Sequence, residues 1–201
     1  ATIAGTWGAV SDQGDLTYLN LIHLAADGTD PADLTRGEME GRRQAVHAVE
    51  ALKHFMPGCE GAKLRNFGMT LGIRDTRKID ALYNMTAADV REQGRFDDSI
   101  GIFPEFIDGY GLLILPTTGR YFHVPYRSLV PQGVRGLLVA GRSIGGDKVS
   151  HAAVRNMMCC AVSGQGAGVA AAISLQHDQP FDRIDMGKVQ AELRRQGARL
   201  A

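Results

Sequence analysis

Gly136-Leu-Leu-Val-Ala-Gly141, then Arg142-Ser-Ile-Gly-Gly-Asp147, then Val149 to Gln176: this stretch decides how the chain is read. An apolar run closed by glycines predicts a fully buried strand of a parallel or mixed sheet. The glycines after it allow close backbone approach, and an Asp precedes a helix start. The second half of the helical stretch is Gly164-Gln-Gly-Ala-Gly-Val-Ala-Ala-Ala-Ile-Ser-Leu175. It has almost no side-chain bulk on one side, which suits packing against a sheet or a ligand. Free N–H groups at a helix N-terminus favour partial negative charge. Strand, glycine turn and helix start together can hold a polar cofactor, with Asp147 accepting from one of its hydroxyls. The same residues also suit a tight structural turn.

Working outward, Leu16 to Leu24 predicts a strand between polar Gly/Asp stretches. Asp30-Pro31 and Asp33-Leu34-Thr35 offer helix-start chemistry. From Thr35 to Phe55, Met39, Ala45, Val46, Val49, Leu52 and Phe55 recur at helical spacing, and Pro57-Gly58 stops the run. Residues 62–85 read as strand, turn, strand. Thr86 with Asp89 forms a capping box for a short helix. Tyr121 to Arg127 is extended, and Pro125 marks an edge or a segment end. Met186 to Gly197 predicts a final helix. The fold class expected is α/β (α+β), divided into a strand-containing segment 1–30, a portion 31–130, and a portion 131–201.

Composition narrows the function classes. The 22 basic and 22 acidic residues cancel, which argues against nucleic acid held by a bulk positive field. No apolar run approaches the ~20 residues that span a bilayer, so no membrane span is expected. Residues 1–7 carry no basic region followed by an apolar core, hence no visible secretory signal. Three cysteines give no disulfide framework, and Cys159-Cys160 reads as buried thiol. A reducing, cytoplasmic setting is expected. His47 and His54 share a helix face and read as surface residues. No His/Cys/Asp set has the usual metal spacing, and no Gly-x-Ser-x-Gly elbow is present.

Five segments occur in order: Arg74-Asp-Thr-Arg-Lys-Ile79, Phe96-Asp-Asp-Ser-Ile100, His123-Val-Pro-Tyr-Arg-Ser-Leu-Val-Pro131, Gly136 to Arg142, and Arg155 through Ala172. Together they resemble the C-terminal half of the FAD-dependent oxidoreductases of the glutathione-reductase-like flavoprotein fold, over about residues 60–200. The resemblance implies FAD as cofactor and a chain that returns from a substrate domain to complete the flavin site. Gly141, Arg142, Gly145, Gly146 and Asp147 would form the turn at the ribityl chain. Asn156, Met157 and Met158 would be a helix N-terminus aimed at the flavin pyrimidine carbonyl, favouring a reduced, anionic flavin. His151 and Arg155 would flank the flavin edge. Hydride transfer needs a fixed substrate and a base for the departing proton, roles open to Arg155 and His151. Equally, His151 can cap local backbone and Arg155 can pair with an acid. His123, Tyr126 and Arg127 form a second polar cluster, for substrate or for the strand end.

The chain departs from the family pattern in one way. No Gly-x-Gly-x-x-Gly follows a strand: Gly164-Gln-Gly166 fails because position 169 is Val, and Gly141 to Gly146 has the wrong spacing. The ADP half of FAD normally rests on that fingerprint. A second polypeptide is expected to carry it, either a separate subunit or the other product of a cleaved precursor, and Ala1 in first position fits cleavage. The expected activity is oxidation of a small organic substrate as part of a hetero-oligomer. The rival is a non-catalytic partner that stabilises a flavoprotein without touching the flavin ring.

Overall fold

The computed structural model describes residues 3–109, 112–116 and 119–201. The chain divides into two compact units, 1–76 and 77–201. The division falls within the 31–130 segment.

In the first unit, β1 (Ile3–Val10) and β2 (Leu16–Ile22) form an antiparallel hairpin. Its turn is closed by Ser11 N–H donating to the Asp15 carbonyl at 2.8 Å. The sequence identifies β2 but not β1, whose Ala-Gly-rich start hides the strand. Next comes α1 (Pro31–Phe55), begun by Asp30, whose carboxylate accepts from Ala32 N–H at 2.9 Å, with Pro31 in the first turn. The predicted apolar stripe is corrected in part. Leu52 is buried and Ala45 and Val49 are half-buried, but Met39 and Phe55 are 70% and 86% exposed, and Gly37 and Ala48 are buried instead. Ala48 and Leu52 join Leu21 and Cys59 in this unit's core.

The second unit has mixed α+β structure. Residues 62–85 form no strand; single bridges at Ala81–Pro131 and Met85–Gly146 are the pairing found there among the described residues. Thr86 and Asp89 complete the predicted capping box of α2 (Ala87–Arg91). β3 (Ser99–Pro104) pairs antiparallel with β6 (Tyr121–Pro125), which stops at Pro125 as expected. Between them β4 (Ile107–Gly109) pairs with β5 (Leu112–Ile114).

Two helices follow the turn, α3 (Lys148–Val154) and α4 (Met157–His177), the second starting at the expected Asn156-Met157-Met158, and then α5 (Met186–Arg195). α4 packs on β3 with very little room. A Cβ on Gly101 would sit 2.5 Å from Val162 Cγ1, and one on Gly166 would sit 2.6 Å from Ile100 Cδ1. Around this contact lie Phe103 and Phe122, edge-to-face at 6.0 Å, with Met85, Leu129, Val154 and Leu193. By length and composition alone α4 is apolar enough to cross a membrane. Its apolarity is spread over Ala, Val, Met, Cys, Ile and Leu interrupted by Ser, Gln and Gly rather than gathered in one unbroken run. Its Cys159, Ser163, Gly166, Val169, Ala170 and Ile173 are buried.

Residues 136–141 form no strand. Residues 132–137 are exposed, and the segment is held by Val139 N–H to the Leu129 carbonyl and Gly141 N–H to Ser163 Oγ, both 2.9 Å. A strand needs a ladder partner, and the described residues offer none to this apolar run.

Candidate functional site

The turn between residues 141 and 147 is fixed by backbone. Gly141–Ser143 is one 3-10 turn, and Gly141 has φ +77°. Ile79 N–H donates to the Ser143 carbonyl at 3.0 Å, Gly145 N–H to Ser128 at 2.9 Å, and Asp147 N–H to Met85 at 2.8 Å. A Cβ on Gly145 would lie 2.5 Å from both Ala81 Cβ and Asn84 Oδ1, and one on Gly146 2.6 Å from Ser150 Oγ. These two glycines are therefore required by the protein's own packing. Around Gly141 a Cβ would meet nothing within 4 Å. Arg142 is exposed beside it.

Asp147 is a clamp. One carboxylate oxygen accepts from Ser150 N–H at 2.7 Å and caps α3; the other accepts from Ala87 N–H at 2.7 Å, at the start of α2. Both oxygens thus satisfy helix-start donors that would otherwise be orphaned.

Asp147, His151 and Arg155 follow at four-residue steps, with His151 N–H on the Asp147 carbonyl and Arg155 N–H on His151, both 3.0 Å. His151 is 2% exposed. Arg155 is half-buried, and its guanidinium donates to the Asp108 carboxylate at 3.0 Å and to the Asp108 backbone carbonyl. Nothing in the sequence signals Asp108, 47 positions earlier and on β4. The pairing engages one guanidinium nitrogen, leaving further N–H donors for a planar anion.

At α4 the situation reverses. Asn156 stands in the capping position but makes no side-chain cap; its amide donates backward to the carbonyls of Ala152 and Ala153, the latter at 2.7 Å. The N–H groups of Met157, Met158 and Cys159 have no acceptor among the described residues. Met157 and Met158 are 88% and 74% exposed. The result is an uncapped helix start, positive by its dipole and flanked by apolar, polarisable side chains. Cys160, in the same turn, has its thiol pushed up by burial, as has the fully enclosed Cys159. No disulfide joins them.

His123, Tyr126 and Arg127 lie at the end of β6. Arg127 grips Asp98 by two guanidinium nitrogens, at 2.9 and 3.3 Å, and by its backbone N–H at 3.0 Å. Tyr126 donates to the Phe181 carbonyl at 3.0 Å, and burial raises its pKa. His123 is buried; Nδ1 accepts from Phe96 N–H at 3.1 Å, and Nε2 has no partner among the described residues. Burial, and then Arg95 nearby, hold His123 below its usual pKa. Among the described residues no hydrogen bond or ion pair joins these three to Asp147 or Arg155. Each has a structural partner at the strand end, and the next residue, Ser128, accepts from Gly145 N–H of the turn. No group of three metal-ligating side chains occurs among the described residues.

No curated protein and no solved structure matches the chain. The family model described as FAD dependent oxidoreductase matches residues 7–193, a span reaching further toward the N-terminus than the motifs alone. The chain belongs to the FAD dependent oxidoreductase family, and its cofactor is FAD.

Proposed function

We propose that the chain forms the flavin-side half of an oxidoreductase that oxidises a small organic anion by hydride transfer, with a second polypeptide holding the ADP half of FAD. The observation that carries this is the open start of α4, with three orphan N–H donors and exposed Met157 and Met158, while Arg142 acts on Cys160 in the same turn and Gly141 is tied to Ser163 further along the helix. That donor set suits the carbonyl edge of a flavin, and the absence of a Gly-x-Gly-x-x-Gly from residues 1–201 supports an ADP site supplied from outside this stretch. When bound, FAD supplies the hydride acceptor.

This chain's residues would do the remainder. The α4 N–H groups would stabilise negative charge at the pyrimidine edge. Arg155, oriented by Asp108, would hold the substrate's carboxylate. The exposed apolar side chains would exclude water from one side of the ring. Asp147 would chiefly hold the turn, with each oxygen on a helix-start N–H. His151 is the imidazole nearest this surface in sequence. With only 2% exposure it would need an opening to accept a substrate proton, so Arg155 is the first residue to test.

Absorption spectra of the chain purified together with the polypeptide it associates with, before and after acid precipitation, test the cofactor; absence of flavin in both fractions of that complex would end the proposal. Expressed by itself, the chain should retain little FAD, and stoichiometric yellow cofactor on it would remove the need for a second polypeptide. In the flavin-loaded protein, Arg155→Ala should raise KM or abolish turnover by roughly ten- to 150-fold with the flavin spectrum intact. Native kinetics would refute the substrate assignment.

A further inference from the structure

The first unit holds a cavity of about 850 Å³ between β2, α1 and the irregular segment 58–72. Sites of this size accept small organic molecules. Its floor is apolar, made by Leu21, Ala48 and Leu52. Its opposite wall is polar and positive. Lys63 and Arg65 line it, are exposed, and have no carboxylate partner among the described residues. Arg42 also lines the cavity but is neutralised by Glu38 at 3.4 Å, and Asp15 is the remaining charged lining residue.

Backbone adds donors to this wall. The N–H groups of residues 63–68, all in the lining, donate to no acceptor among the described residues. Successive free N–H groups beside unpaired cations make a place for an anion. Inorganic phosphate would use only that wall and leave the apolar floor wet; an uncharged hydrocarbon would do the reverse.

We infer that this cavity binds an organic carboxylate with an apolar body, its charge on Lys63 and Arg65 and its hydrocarbon on Leu21, Ala48 and Leu52. The site shares no residue with the flavin-side surface, so it stands or falls apart from the proposal above. The test uses octanoate and octan-1-ol as probes, titrated into the full ¹⁵N-labelled protein. Octanoate should shift amides saturably within residues 15–72 and bind more tightly than octanol. Lys63→Met with Arg65→Met should weaken octanoate about tenfold or more and leave octanol unchanged. Equal affinity for the two probes, no saturable shifts within that range, or an unaffected double variant would overturn the inference. Should the double variant melt early, the two-probe comparison on the unaltered protein decides alone.

Discussion

α3 and α4 follow each other in the chain and begin in opposite ways. α3 is closed: Asp147 caps it, and residues 150–154 are buried. α4 is open: its capping residue turns away, its first donors are orphaned, and its first two side chains are exposed. The same contrast runs along α4, where Gly166 is pressed against Ile100 while Gly164 and Gly168 face open space. An uncapped helix start leaves its partial positive charge unmatched, and the proposed function sets the negative edge of FAD against it.

The contrast can be broken by substitution. Gly166→Val should cost about 2–4 kcal/mol, because its Cβ would start 2.6 Å from Ile100 Cδ1 and a branched side chain adds to the clash. Thermal melting close to that of the native protein would mean that the α4–β3 contact is loose. Asp147→Ala removes two carboxylate-to-backbone bonds and should cost about 1–3 kcal/mol of stability while folded protein keeps its FAD. Loss of FAD without loss of stability would return Asp147 to the cofactor. On the open side, Gly168→Ala should stabilise by about 0.5–1 kcal/mol, since a helical glycine is replaced where nothing obstructs. A destabilised variant would mean that this face is covered.

A smaller effect concerns acid. His123 has a folded pKa lowered by burial, so the unfolded chain binds its proton first. Stability should therefore decline as pH falls below the ordinary value of 6.5. His123→Gln should flatten that decline in melting scans between about pH 5 and pH 7.5. An unchanged slope would place the acid sensitivity on another group.

The helices were legible from sequence where local chemistry fixes them. Asp30-Pro31, Thr86 with Asp89, and Asp147 each announce a start, and each makes its cap. The strands were less so. β3, β4 and β5 are short, and 136–141 has strand composition but no neighbour to pair with among the described residues. Pairing is a long-range property that composition does not carry. The same limit hid the site's arrangement. Arg155 was visible, but its partner Asp108 was not. Asp147 was visible, but its bond to Ala87 depends on the fold bringing together residues 60 apart. On α1, spacing found the helix and the burial of Leu52, but not that Met39 and Phe55 face outward while Gly37 and Ala48 are buried, because small residues can form a buried face too.

The open start of α4 is tested most directly by placing a carboxylate there. FAD content should be measured, as flavin per protein, for the purified flavin-loaded protein carrying Met158→Asp, beside Met158→Leu as the size control. The aspartate would satisfy the orphan donors and repel an anionic flavin edge, as a charge at a helix N-terminus does. The account predicts that Met158→Asp loses FAD by about tenfold or more while Met158→Leu retains it. Equal FAD content in the two variants, both folded, would contradict it.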